Sequence, residues 1–134
     1  MFDVAFDFAE DEPRLPLSVA ETVRDICIAG GAEARISSIH VNAWFGAYSK
    51  ADMSRRFLEE TVGINASSFG SRVAFIGDSP NDAPMFALAP LSVAVSGYRN
   101  LSYLSEHHPA YVTVGDGGEG FLEFAKALLT ARRL

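Results

Sequence analysis

The spacing of apolar positions changes several times along the chain, and each change marks an element. Phe2, Val4, Phe6 and Phe8 alternate loosely with Asp3, Ala5 and Asp7, which predicts a strand over 2–8. Residues 11–16 carry two prolines and read as a loop. Ser18 with Glu21 three positions on has the form of a capping box. Val19, Val23, Ile26 and Cys27 then recur at helical spacing until Gly30-Gly31 stops them. The stretch from Arg35 to Trp44 places Ile36, Ile39, Val41 and Trp44 among small polar residues, and predicts one strand ending near Gly46. Ser49 can cap a second helix, with Asp52 in its first turn. Its stripe is Met53, Phe57, Leu58 and Val62, and its stop is Gly63.

Past Gly63 the periods alternate. The run Val73–Ile76 predicts a strand, 82–88 a short helix, Leu91–Val95 a strand, 100–104 a short helix and 111–114 a last strand. Pro84 suits the first turn of its helix, where a missing amide costs nothing. Residues 115–118 form a glycine-rich turn. Phe121, Leu122, Ala125, Leu128 and Leu129 mark a closing helix. From Lys50 onward, helix and strand therefore take turns, the signature of a parallel sheet with crossover helices. The pattern changes near Gly46–Ser49, so a boundary is expected there, dividing 1–47 from 48–134.

Composition narrows the classes. The chain has 134 residues, 49% hydrophobic and 21% charged, which suits a folded domain with a real core. A net charge of -6 without a basic stripe argues against nucleic acid as partner, and Arg132-Arg133 reads as a solvated helix end. Cys27 is the only cysteine, which excludes a disulfide scaffold and a cysteine-rich zinc site. In its apolar helix it is expected to be a small buried hydrophobe. No apolar run reaches about 18 residues and no basic leader opens the chain, so no membrane partner and a cytoplasmic location are expected.

The candidate chemistry centres on Val73-Ala-Phe-Ile-Gly77-Asp78-Ser79-Pro80-Asn81-Asp82, where an apolar strand delivers two carboxylates four positions apart onto a tight turn. Strand tips of this kind build metal and phosphate sites in open α/β sheets. Mg²⁺ takes hard oxygen ligands such as Asp78 and Asp82, and the helix start beyond them favours anions. The same residue types also make an ordinary Asx turn with a helix cap. Lys50 starts a helix, where the dipole disfavours a cation; either an anion lies nearby or the side chain is simply solvated. Ser38, His40 and Asn42 would share one face of their strand, to meet a polar substrate or to form a hydrogen-bonded polar surface. His107-His108 reads as a solvent-facing loop, and Trp44 and Phe45 as core or interface.

Taken together, these residues resemble the haloacid dehalogenase superfamily of phosphohydrolases. Residues 75–86 are similar to that superfamily's fourth motif in its Gly-Asp-Ser-x-Asn-Asp form, and Leu91–Val95 follows as it does there. Lys50 matches the third-motif lysine, and 37–50 resemble the end of a type-IIB cap domain and its return to the core. The resemblance implies an α/β fold: a partial Rossmann-like parallel sheet with flanking helices, plus a short α+β cap remnant. It implies Mg²⁺ as cofactor, held by Asp78 directly and by Asp82 directly or through water. Ser79 and Asn81 would orient the acids or the substrate phosphate, and Lys50 would hold the nucleophile and phosphoryl group. His40 and Asn42, on their shared strand face, are the further candidates for substrate contact. The partner would be a small phosphorylated metabolite.

The superfamily's first motif, an Asp-x-Asp at a strand end, has no counterpart here. Asp3 and Asp7 are spaced four apart and resemble a cap strand, although either is the candidate nucleophile if the chain turns over phosphoester. Nor does the second-motif Ser/Thr precede the cap. The expectation is a Mg²⁺-dependent phosphatase truncated to its C-terminal part and inactive alone. The alternative is a non-catalytic module that dimerises through an exposed sheet edge. Without the first-motif strand, Val73–Ile76 would lie at an open apolar edge. A second copy, rearranged N-terminal residues or a separate N-terminal polypeptide is expected to cover it.

Overall fold

A computed structural model describes residues 3–132, so Phe2 of the first expected strand and Arg133 of the expected helix end lie outside the described residues. The chain divides into two compact units, Met1–Tyr48 and Ser49–Leu134.

The first unit is a three-stranded antiparallel sheet with one helix. Its elements are β1 (Val4–Asp7), α1 (Leu17–Ala29), β2 (Glu33–Ile36) and β3 (His40–Trp44), in sheet order β1-β3-β2. Val4 pairs with Ala43 and Asp7 with His40, while Ile36 pairs with Val41. The single strand expected over 35–44 is instead a hairpin. The hydroxyl oxygen of Ser37 accepts the amides of Ile39 and His40 at 3.4 and 3.0 Å, folding the chain back on itself. Ser38 therefore sits in the turn and not on the strand face shared by His40 and Asn42. Within β3 the alternation holds: Val41 and Ala43 are buried, and His40, Asn42 and Trp44 are half-exposed.

Helix α1 starts two residues earlier than its capping box requires. Pro16 stands at the cap position in extended conformation, so Ser18 falls inside the first turn and caps nothing; its carbonyl accepts the Thr22 hydroxyl at 2.8 Å. The helix packs on β2 and β3 and buries Ala20. Cys27 is half-buried rather than buried, and Ile26 and Ile28 are exposed. Gly31, at φ 84°, supplies the left-handed residue that ends the helix.

The second unit is an α/β half-sheet. Ser49 caps α2 (Lys50–Phe57) as expected: its hydroxyl oxygen accepts the Asp52 amide at 3.1 Å. A wider turn, Leu58–Val62, extends the helix to Gly63 at φ 72°. Of the expected stripe only Leu58 is half-buried; Met53, Phe57 and Val62 stay exposed among the described residues. There follow α3 (Phe69–Arg72), β4 (Ala74–Gly77), α4 (Ala83–Leu88), β5 (Leu91–Ala94), β6 (Tyr111–Val112) and α5 (Gly117–Ala131). The strands run parallel in the order β4-β5-β6, with Ala74 beside Leu91 and Ala94 beside Val112. The helix expected at 100–104 is replaced by two tight turns, Ser96–Asn100 and Ser102–Leu104. Strand β6 is shorter than expected: Val114 lies beyond the ladder and is fully open to solvent.

The core of this unit is an aromatic stack. Phe86 meets Phe75 edge-on at 5.7 Å and Tyr98 at 5.6 Å, with Ala94 fully buried beside them and Val112 packed on the cluster. The Tyr98 hydroxyl is within 2.8 Å of His108 Nδ1, so the histidine that reads as a free loop residue is tethered to the core, though still exposed. Phe86 joins α4 to both β4 and the loop after β5. Phe86→Ala is expected to lower unfolding free energy by about 3–5 kcal/mol, read as a reduced urea midpoint.

Candidate functional site

Strand β4 ends at Gly77, and the chain then makes one tight turn, Pro80–Asp82, into α4. Pro80 and Pro84 fix φ where each short helix begins. The turn folds Asp82 back under the strand tip. One carboxylate oxygen of Asp82 accepts the Asp78 amide at 3.0 Å, and the other receives the Lys50 ammonium in a short contact. The Asp82 side chain is only 4% exposed, so its charge is compensated inside the protein, whereas Lys50 is half-open to solvent. This arrangement explains the lysine at a helix start: α2 presents Lys50 to a carboxylate.

Gly77 is part of the same device, which sequence reading did not single out. A Cβ there would lie 2.7 Å from Asp82 Cγ. The one available signal was its position immediately before the acids.

The remaining residues of the turn are arranged differently. Ser79 is buried in extended backbone, its carbonyl accepting the Asp82 amide at 3.0 Å. Asn81 is half-exposed, and the carboxylate of Asp78 is exposed with no hydrogen-bond partner among the described residues. Asp116, beyond β6, caps α5, and its Oδ1 accepts the amides of Gly97 and Gly117 at 2.9 and 2.8 Å.

The donor set can be tested against a divalent cation. Asp78 offers a free, solvent-accessible carboxylate, which suits an ion that keeps most of its waters. Both oxygens of Asp82 already face donors, so its fit is as the partner of Lys50 and of the Asp78 amide.

In the first unit, His40 Nε2 lies 2.6 Å from a Glu10 carboxylate oxygen, and Asp7 lies beside them. One ligand atom from each of Asp7, Glu10 and His40 falls within 4.8 Å of the others. Sequence reading missed this grouping because Glu10 and His40 are 30 positions apart and meet only through the β1–β3 pairing. The Asp7 carboxylate accepts the amides of Ala9, Glu10 and Asp11. It is a turn cap, not a carboxylate poised for attack. These bonds, that from Glu10 foremost, hold its pKa below the ordinary carboxylate value. Asn42 lies on the half-exposed face of β3 with His40.

Solved structures identify the architecture. The structure of Thermoplasma acidophilum 0175 superposes with TM-score 0.60 at 20% identity, over 93% of this chain and 49% of that one. A haloacid dehalogenase-like hydrolase from Bacteroides thetaiotaomicron superposes with TM-score 0.53 at 21% identity, over 84% of this chain and 40% of that one. The fold is that of the haloacid dehalogenase-like hydrolases. This chain spans less than half the length of either neighbour. No protein-family model and no curated protein sequence matches it. Among the described residues no helix is long and apolar enough to cross a membrane. The haloacid dehalogenase-like fold accounts for the parallel α/β half-sheet with its flanking helices.

Gly77→Ala is expected to displace Asp82 and cost about 1–3 kcal/mol, measured by urea denaturation. A value near zero would mean that Asp82 is not locked beneath the strand. For Asp7, whose folded pKa lies below its unfolded value, the stabilising contribution is full above the unfolded pKa and is lost as pH falls through the folded one. An acid titration should therefore show Asp7→Ala losing less stability between pH 5 and about 2 than the parent chain.

Proposed function

We propose that the tip of β4 is the cation- and phosphate-holding half of a Mg²⁺-dependent phosphomonoester hydrolase site. The observation that carries this reading is the division of labour between the two acids. Asp82 is buried and neutralised by Lys50, while Asp78 stands exposed and unpaired at the carboxyl end of a parallel strand. Asp78 would hold the ion, with waters completing its shell. The bound ion would supply positive charge to a phosphate oxygen. Lys50, held in place by Asp82, would turn its solvent-open ammonium toward the same phosphate. Asn81 and the Ser79 segment would shape the turn around it.

Among the described residues, the acid beyond β6, Asp116, is held as a helix cap, with Oδ1 accepting two amides. Covalent phosphoryl transfer would need its nucleophilic carboxylate from elsewhere. Binding without turnover is therefore the behaviour expected of these residues.

Calorimetry with Mg²⁺ and then inorganic phosphate tests the reading. The parent chain should bind Mg²⁺ weakly and bind phosphate more tightly in its presence. Asp78→Asn should lose the Mg²⁺ heat, and Lys50→Met should lose the phosphate heat, each by about tenfold or more in Kd. The absence of Mg²⁺ binding in the parent chain would overturn the proposal. Hydrolysis of p-nitrophenyl phosphate should remain at background. Robust turnover abolished by Asp78→Asn would place a nucleophile within this chain.

A further inference from the structure

Asp7, Glu10 and His40 form a group that the strand-tip site does not use. Strand register places two of them: Asp7 is the partner of His40 across β1 and β3. The loop after β1 delivers the third. The Ile39 carbonyl accepts the amides of Phe8 and Ala9 at 3.1 and 3.2 Å, which pins that loop to the start of β3 and brings Glu10 against the imidazole. One ligand atom from each of the three residues then lies within 4.8 Å of the other two.

The donor set is mixed, and that decides what it can hold. Carboxylates alone are hard ligands, and exposed acids often stand together without an ion. An imidazole nitrogen among them shifts the preference toward Zn²⁺, which takes nitrogen and oxygen ligands together. Each donor atom can be reached. Nε2 of His40 lies 2.6 Å from a Glu10 carboxylate oxygen. A proton bridges that contact, and a divalent ion can take the proton's place with both atoms as ligands. Oδ1 of Asp7 accepts the amides of Ala9 and Glu10 at 3.0 and 2.7 Å, whereas Oδ2 has only a long bond from Asp11 at 3.3 Å. Oδ2 therefore keeps a lone pair to give, on a carboxylate that the turn holds in one orientation.

Space and charge agree with the donors. The His40 and Glu10 side chains are 25% and 58% exposed, so an ion can enter with its waters. Around Zn²⁺ bonded at about 2.1 Å, ligand atoms stand roughly 3.4 Å apart. Opening the Glu10–His40 contact to that spacing takes a small rotation of the exposed Glu10 side chain. Asp3, Asp11 and Glu12 lie close in sequence, and Arg14, the one basic residue before Arg24, is paired with Glu12. The local field is negative and draws a cation.

We propose that Asp7 Oδ2, a Glu10 carboxylate oxygen and His40 Nε2 bind one Zn²⁺ ion, with water as its fourth ligand. The ion ties the loop after β1 to β3. The site belongs to the first unit and does not rest on the phosphohydrolase reading.

Calorimetry with Zn²⁺ tests it, on metal-free chain carrying Asp78→Asn so that the strand-tip carboxylate cannot supply the heat. One equivalent should bind, and an excess of Mg²⁺ should not displace it, because an imidazole ligand suits Zn²⁺ and not Mg²⁺. His40→Gln, Glu10→Gln and Asp7→Asn should each weaken binding by about tenfold or more, at least the cost of losing an outer partner of a metal site. Glu10→Gln keeps an acceptor for His40, and Asp7→Asn keeps an oxygen for the Ala9 and Glu10 amides, so these variants should retain the circular dichroism of the parent. Absence of saturable Zn²⁺ binding would overturn the proposal. Binding unchanged in His40→Gln would overturn it too, and would move the ion to other groups, His107 and His108 being the remaining histidines.

Discussion

The second unit is organised around one buried charge. A carboxylate taken from water must find donors or become neutral, and the Asp82 side chain is almost wholly enclosed. Its two donors come from different elements: the Asp78 amide at the strand tip, and Lys50 at the start of α2. Removing either would leave a buried oxygen unmatched. The requirement propagates outward. Gly77 must lack a side chain for Asp82 to pass beneath it. Ser49 must start its helix at the position that aims Lys50 inward. Pro80 and Pro84 must turn the chain within a few residues. Asp78 is left with its amide engaged and its carboxylate free, and that asymmetry makes the turn more than a helix cap.

How much of this was legible in the sequence follows from how local each cause is. The strand, turn and helix over 74–88 could be read because apolar run, glycine, prolines and cap succeed one another without a gap. The Ser49 cap and the Gly63 stop were legible for the same reason. The parallel order followed from alternation alone. The hairpin over 33–44 was not legible, because its turn depends on the Ser37 hydroxyl bonding two amides of its own loop. The same residues without that bond would read as one strand. Ser18 misled because a capping box describes only side chains, whereas the start of α1 is set by the backbone of Pro16.

Long-range pairings were beyond a one-dimensional reading. The pairing of Lys50 with Asp82 spans 32 positions, and that of His40 with Glu10 spans 30. The misplaced helix dipole gave an indirect sign of the first; nothing local signalled the second. Burial was overestimated wherever periodicity stood in for a packing partner. Ile26, Met53 and Phe57 sit at helical spacing yet remain exposed, because periodicity shows that a face could be buried, not that anything covers it.

The last constraint joins the buried acid to the exposed one. A carboxylate as enclosed as that of Asp82 needs both of its donors, and one of them is the backbone amide of Asp78. That bond and the tight turn over Pro80–Asp82 fix the main chain from which the Asp78 side chain projects. The carboxylate of Asp78 is left without a partner among the described residues because its own amide, and not its side chain, meets the requirement of the buried acid. The exposed acid at the strand tip is therefore held in place by the one beneath it.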